Sequence, residues 1–228
     1  MIQKAHDAYN TGNFKTALEI YSKLADEGHA DAQTSLGYMY QNAQGCERDE
    51  QKVVELYTKA AEAFQPYALY NLAILYANGL SGVAHSQFKA YELHMEAAIR
   101  EVLPAMYEVA LMLEHGVGCL QNFSEAAFWY EEGAKRGNLE CFNNLGVLYK
   151  EGHGVEQNDA KCFICFSRAA EGELAEGLYN LGLLYDQGIG CEMNNDMALE
   201  YCRKAAYKGH LKAKEIIKNL QEDGKIVF

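Results

Sequence analysis

The chain has 228 residues, 49% of them apolar, and its 32 Asp and Glu outweigh 20 Lys and Arg for a formal net charge of -12. Such an excess of carboxylates excludes proteins that grip phosphate backbones or anionic membrane surfaces, which need clustered Lys and Arg. The opening Met1-Ile2-Gln3-Lys4-Ala5-His6 lacks the apolar core of a signal peptide, and no apolar run reaches about 18 residues, so a cytoplasmic location is expected.

The chain repeats itself. Leu36, Leu72, Val109, Leu145 and Leu181 are equivalent positions, spaced by 36, 37, 36 and 36 residues. A period of this length predicts a solenoid of two-helix units, in which each unit packs on its neighbours and the core grows with repeat number.

In chain order, a short helix is expected over about Ile2 to Tyr9, followed by a second helix capped by Asn13. Residues 1–29 therefore form a shortened N-terminal unit. Five full units follow over residues 30–212 without a linker, and 213–228 supply a C-terminal cap helix and a tail expected to fray. The first helix of each full unit carries a large anchor and then a small residue. A Tyr usually follows four positions after the anchor, as in Leu36-Gly37-Tyr40 and Leu145-Gly146-Tyr149. That spacing puts anchor and ring on one helical face, where both are expected in the core. Asn13, Asp49, Ser86, Asn122, Asn158 and Asn194 recur as N-caps of the second helices, each contributing about 1 kcal/mol. Gly28, Gly137 and Gly209 fall where second helices end. Loop glycines such as Gly116-Val117-Gly118 are turn formers, because no Lys-Ser or Lys-Thr follows them. One extra residue is assigned to the loop containing Leu80-Ser81-Gly82-Val83.

The segment LGVLYKEGHGVEQNDAKCFICFSRAAEGE and the following LGLLYDQGIGCEMNNDMALEYCRKAAYKG resemble the Sel-1-like repeat, a relative of the tetratricopeptide repeat. NTGNFKTALEIYSKLADEGHAD resembles a tetratricopeptide second helix. The resemblance implies an all-α fold, a right-handed superhelix of antiparallel helix pairs. It also implies a protein-interaction scaffold or adaptor and names no partner. A dedicated inhibitor or immunity-type partner of a basic toxin or enzyme is the alternative, which the acidic charge suits. Penicillin hydrolysis, described for a cysteine-rich branch of the family, is the weakest reading. That branch pairs its cysteines at a regular spacing that is missing here.

No catalytic residue, cofactor or metal site is assigned. Cys46, Cys119 and Cys191 take the loop position of Val155 and are expected to act as small hydrophobes. Cys162 and Cys165 occupy packing positions of a helix, and no second pair at ligand spacing accompanies them. The seven histidines fall at unrelated repeat positions.

The candidate binding surface is the first-helix stripe just before the anchors, which lines the concave groove in tetratricopeptide arrays. Tyr70, Asn71, Tyr107, Asn144, Tyr179 and Asn180 are expected to form one groove, given negative potential by Glu140, Glu176 and Asp186. It would take a protein segment carrying Lys or Arg. Two roles stay open for the amides: contact with a partner, or bridges between adjacent repeats. The Lys and Arg of a carboxylate clamp are absent, since the matching outer positions are Asp31, Tyr67, Pro104, Glu140 and Glu176.

The cysteine placement generates the first test. Denatured protein should titrate with seven free thiols, and two or more intrachain disulfides would overturn both that assignment and the reducing compartment it implies.

Overall fold

A computed structural model describes residues 1–222. Among them are thirteen α-helices and no strand. The expected fraying of the tail concerns residues 223–228, outside the described residues. Helices α1 (Ile2–Asn10), α2 (Phe14–Asp26), α3 (Ala30–Gln41), α4 (Glu50–Glu62), α5 (Pro66–Asn78), α6 (Gln87–Ile99) and α7 (Leu103–His115) make up one compact unit, Met1–Gln121. A second unit starts at Asn122. It comprises α8 (Phe123–Lys135), α9 (Leu139–Glu151), α10 (Asp159–Glu171), α11 (Ala175–Gln187), α12 (Asn195–Tyr207) and α13 (Leu211–Glu222). Within each unit helices pack mainly on their sequence neighbours, as a solenoid requires.

The anchors Leu36, Leu72, Val109, Leu145 and Leu181 are all buried. The small residue after each lets a second helix approach closely. A Cβ built on Gly37 would lie 2.8 Å from Cε1 of Tyr57, and one on Gly146 would lie 2.8 Å from Cε1 of Phe166. Tyr21, Tyr57, Tyr130 and Phe166 occupy equivalent positions of the second helices and are among the largest fully buried side chains. His94 takes the same position in α6, 3% exposed, with Nδ1 unpartnered. Burial pushes its pKa down to about 4.

The tyrosines four positions after the anchors depart from the expected core placement. Tyr40, Tyr76, Tyr149 and Tyr185 are only half-buried. Their rings lie at the loop edge, where Lys52, Lys89 and Lys161 set their ammonium groups 4.6, 5.0 and 4.9 Å from the centroids of Tyr40, Tyr76 and Tyr149. A ring face that attracts a cation and a lysine stem that covers apolar surface are both better used at a wet boundary than inside. The repeat with Leu113 in place of the tyrosine also has Glu125 in place of the lysine.

All six expected N-caps accept from the backbone N–H three residues on, at 2.9 to 3.3 Å. Three further caps, on first helices, escaped the sequence reading: Gln65 accepts from Ala68, Asn138 from Cys141 and the His210 ring from Ala213. Gly28, Gly137 and Gly209 have φ of +88°, +89° and +101°. Phe64, Glu101 and Glu173 hold the same left-handed conformation without glycine, at φ of 57°, 65° and 60°.

A tighter constraint sits in the loops. The Gly118, Gly154 and Gly190 backbones press on the first residue of an earlier second helix, 31 positions back. A Cβ on Gly118 would meet the Gln87 carbonyl oxygen at 2.2 Å, one on Gly154 the Phe123 carbonyl carbon at 2.3 Å, and one on Gly190 the Asp159 carbonyl oxygen at 2.3 Å. The extra residue in the loop after α5 removes this contact, and Gly82 faces open space.

Two stability tests follow from these positions. Gly154→Ala should cost more than about 3 kcal/mol in urea unfolding, against about 1 kcal/mol for Gly137→Ala, which also has positive φ but no neighbour within 4 Å. Equal losses would refute the loop contact. The unfolded chain takes up a proton on His94 near pH 6.5, the folded chain only near pH 4. Stability tied to His94 is therefore complete above pH 6.5 and lost as pH falls through that window, by up to about 3 kcal/mol. Glu108, whose carboxyl pKa burial raises, acts in the opposite sense. His94→Phe, the residue found at Phe166, should therefore gain on the wild type between pH 7.5 and 4.5; parallel pH curves would refute the assignment.

Candidate functional site

Each buried ring of a second helix is followed, 14 residues on, by the polar residue just before an anchor. This register turns core tyrosines into part of the first-helix surface, because their hydroxyls emerge there. Tyr21 Oη lies 2.7 Å from His6 Nδ1 and hydrogen-bonds Ser35. Tyr57 Oη donates to Gln41 Oε1 at 2.9 Å and hydrogen-bonds Asn71. Asn144 Nδ2 donates to Tyr130 Oη at 3.0 Å.

In the unit Met1–Gln121 this surface is a groove of about 650 Å³. Tyr70 and Asn71 line it, as the stripe requires. Around them are residues the sequence reading did not select: His6, Tyr9, Tyr21, Tyr38 and Tyr67. Tyr38 and Tyr67 are 45% and 57% exposed, so large rings face solvent on a concave wall. The missed signal was helical spacing. Asp31, Thr34, Ser35 and Tyr38 follow an i, i+3, i+4, i+7 pattern on α3, as Tyr67, Tyr70 and Asn71 do on α5. Asp31 accepts from Gln65 Nε2 at 3.3 Å, and Gln65 also caps α5. Tyr107 and Glu108 lie half-buried on α7.

In the unit beginning at Asn122 the stripe residues divide. Asn180 Nδ2 donates to Asn143 Oδ1 at 2.9 Å, Asn143 Nδ2 to Asn144 Oδ1 at 3.2 Å, and Asn144 to the Tyr130 hydroxyl. Of the two roles left open for the amides, the bridge between repeats is the one these bonds display. Where Phe166 lacks a hydroxyl, Asn180 turns to Asn143 instead. Tyr179 and Asp186 come together in a separate cleft of about 520 Å³ between α11, α12 and α13, where the Tyr179 ring stacks on His210 at 4.2 Å. Glu140 and Glu176 are exposed in the first turns of α9 and α11, where the helix dipole favours a carboxylate.

The cysteines are placed as packing residues with one addition. Cys46, Cys119 and Cys191 direct their thiols at main-chain carbonyls of Met39, Met112 and Leu184, near the ends of first helices. Burial raises the pKa of Cys141 and Cys162 to about 12 and of Cys165 to about 11, which keeps these thiols protonated and poorly nucleophilic at neutral pH. Among the described residues no group of three or more His, Cys, Asp or Glu could hold a metal ion, and no helix is long and apolar enough to cross a membrane.

Comparison with known proteins agrees with this architecture. The Sel1 repeat matches the chain at residues 10–29, 30–63, 66–99, 103–138, 143–173 and 175–210. The match thus includes the shortened first unit. A Sel1 repeat protein from Oxalobacter formigenes superposes with a TM-score of 0.84 at 25% identity, over 96% of this chain and 89% of that one. A protective antigen of uropathogenic Escherichia coli strains with the same repeat fold gives a TM-score of 0.57 at 24% identity, over 91% of this chain and 52% of that one. Among curated sequences, chitin synthase regulator SKT5 of Saccharomyces cerevisiae is 28% identical over 58% of this chain and 19% of its own length. Chitin synthase regulatory factor 3 of Schizosaccharomyces pombe is 26% identical over 53% of this chain and 17% of its own length. The chain thus spans about a fifth of the length of these relatives. Built from helix pairs whose rings and loop glycines recur in register, and matched by the repeat along most of its length, the chain belongs to the Sel1 repeat family.

Proposed function

We propose that this chain is a non-enzymatic scaffold or adaptor that holds an extended segment of a partner protein against its first-helix surface, in the groove lined by α1, α2, α3 and α5. The groove of exposed tyrosines carries this reading. Rigid aromatic rings supply large contact area at low entropic cost, which is why they dominate protein–protein hot spots. Ser35 and Asn71 bring a hydroxyl and an amide to the groove wall, where they face a bound main chain, while Asp31 favours a positively charged segment. The curated relatives are named as regulators of chitin synthase, which supports a regulatory, partner-directed role. In the unit beginning at Asn122, Tyr179 and Asp186 offer a second contact point.

The test is a screen of displayed random twelve-residue peptides against the purified chain. Tyr67→Ala combined with Tyr70→Ala should weaken the selected peptides by about 1–2 kcal/mol with helical content unchanged, and binding should slow as salt rises. Peptides that bind the double variant normally would place the interaction elsewhere on the chain.

A further inference from the structure

Within the unit Met1–Gln121 the series of ring hydroxyl and polar partner fails once, at α6. Where Tyr21 and Tyr57 send a hydroxyl to Ser35 and Asn71, α6 carries His94, and the residue 14 positions on is Glu108. The imidazole has no hydroxyl to offer, and its buried Nδ1 has no hydrogen-bond partner. It packs instead against Tyr70, ring centroids 5.4 Å apart. Tyr70 and Glu108 hold the repeat positions that Asn143 and Asn180 hold in the other unit, two before one anchor and one before the next, where the side chains meet directly at 2.9 Å. In keeping with that register, the Glu108 charge raises the Tyr70 phenol pKa after burial has done so. Glu108 is half-buried on α7, and burial raises its own carboxyl pKa with no cation opposing the shift.

The charge distribution explains why no internal cation serves Glu108. Helices α3, α5 and α7 contain no Lys or Arg, yet they carry Asp31, Glu108 and Glu114. Of the cations in this unit, Arg48, Lys52, Lys59 and Arg100 lie on the second helices or the loops beside them, paired there with Glu50, Asp49, Glu55 and Glu96, and Lys4 lies on α1. A half-buried carboxylate on a surface without cations is costly in the free protein and is relieved by a cation brought from outside.

We propose that Glu108 and Tyr70 form a cation-recognition position beside the groove, which takes the guanidinium or ammonium of one Arg or Lys in the bound segment. The side-chain stem lies on the Tyr70 ring and the charge meets the Glu108 carboxylate. His94, neutral and buried behind Tyr70, adds no competing positive charge. This rests on the groove reading above and adds the chemistry of the partner to it.

The experiment uses the selected twelve-residue peptides. They should carry Arg or Lys at one fixed position. Replacing that Arg by citrulline, or that Lys by norleucine, should weaken binding to the wild type about tenfold and leave binding to Glu108→Gln unchanged. Glu108→Gln itself should lose about the same factor, and Glu108→Lys should reselect peptides with Asp or Glu at that position. The cation position is overturned, with the groove intact, if peptides sensitive to the Tyr67 and Tyr70 substitutions bind Glu108→Gln as tightly as wild type or show no fixed cation. Selected peptides indifferent to the tyrosine substitutions, or a screen that yields no binder, overturn the groove reading and this proposal with it.

Discussion

The buried ring of the second helices α2 to α10 is the contact on which the rest depends; α12 carries Cys202 at this position. Tyr57 presses one face against Gly37, where a methyl group would already collide, and sends its hydroxyl on to Gln41 and Asn71. One side chain therefore closes a helix pair and reaches the next first helix. Phe166 keeps the packing against Gly146 without the hydroxyl, and His94 keeps neither the full ring nor a satisfied polar atom. Burying a ring stabilises the pair by some 2–3 kcal/mol, whereas a buried nitrogen without a partner costs about 1–3 kcal/mol. These equivalent positions are thus far from equal, although all serve the same architecture.

Loop glycines provide the second constraint. Gly118, Gly154 and Gly190 bring backbone against backbone at the start of an earlier second helix, with no room for any side chain. Advance from one repeat to the next is set there by main-chain contact and not by side-chain choice, so the loop composition can vary around it. Gly82 shows the limit of that tolerance. One additional residue lifts the loop away, and the neighbouring helix pair relies on its rings and caps instead.

Function follows from which polar groups the packing leaves unfinished. In the unit beginning at Asn122 the amides of Asn143, Asn144 and Asn180 satisfy one another, which makes that surface stiff and partly self-contained. In the unit Met1–Gln121 the hydroxyls are likewise anchored, but Tyr38 and Tyr67 project into solvent. Lys52 and Lys89 are held over Tyr40 and Tyr76 at the loop edge. In this unit the acidic first helices α3, α5 and α7 and the cation-bearing second helices are separated by the same repeat geometry.

Period and residue type alone determined the helix pairs, their six second-helix caps, the anchors and the loop with the extra residue, because these depend on spacing within a few turns of chain. Of the stripe before the anchors, Tyr70 and Asn71 lie together in one groove and Tyr179 in another. What the sequence could not decide was the fate of each stripe residue, since that depends on a partner 14 or 37 positions away. Tyr130 engages Asn144, while Asn180 turns back to Asn143. Tyr38 and Tyr67 were overlooked because a repeat alignment compares equivalent positions between units, whereas a groove collects neighbours across helices. The tyrosines after the anchors read as core for a related reason: periodicity fixes the face of a helix, and only the packed structure decides how far along that face water reaches.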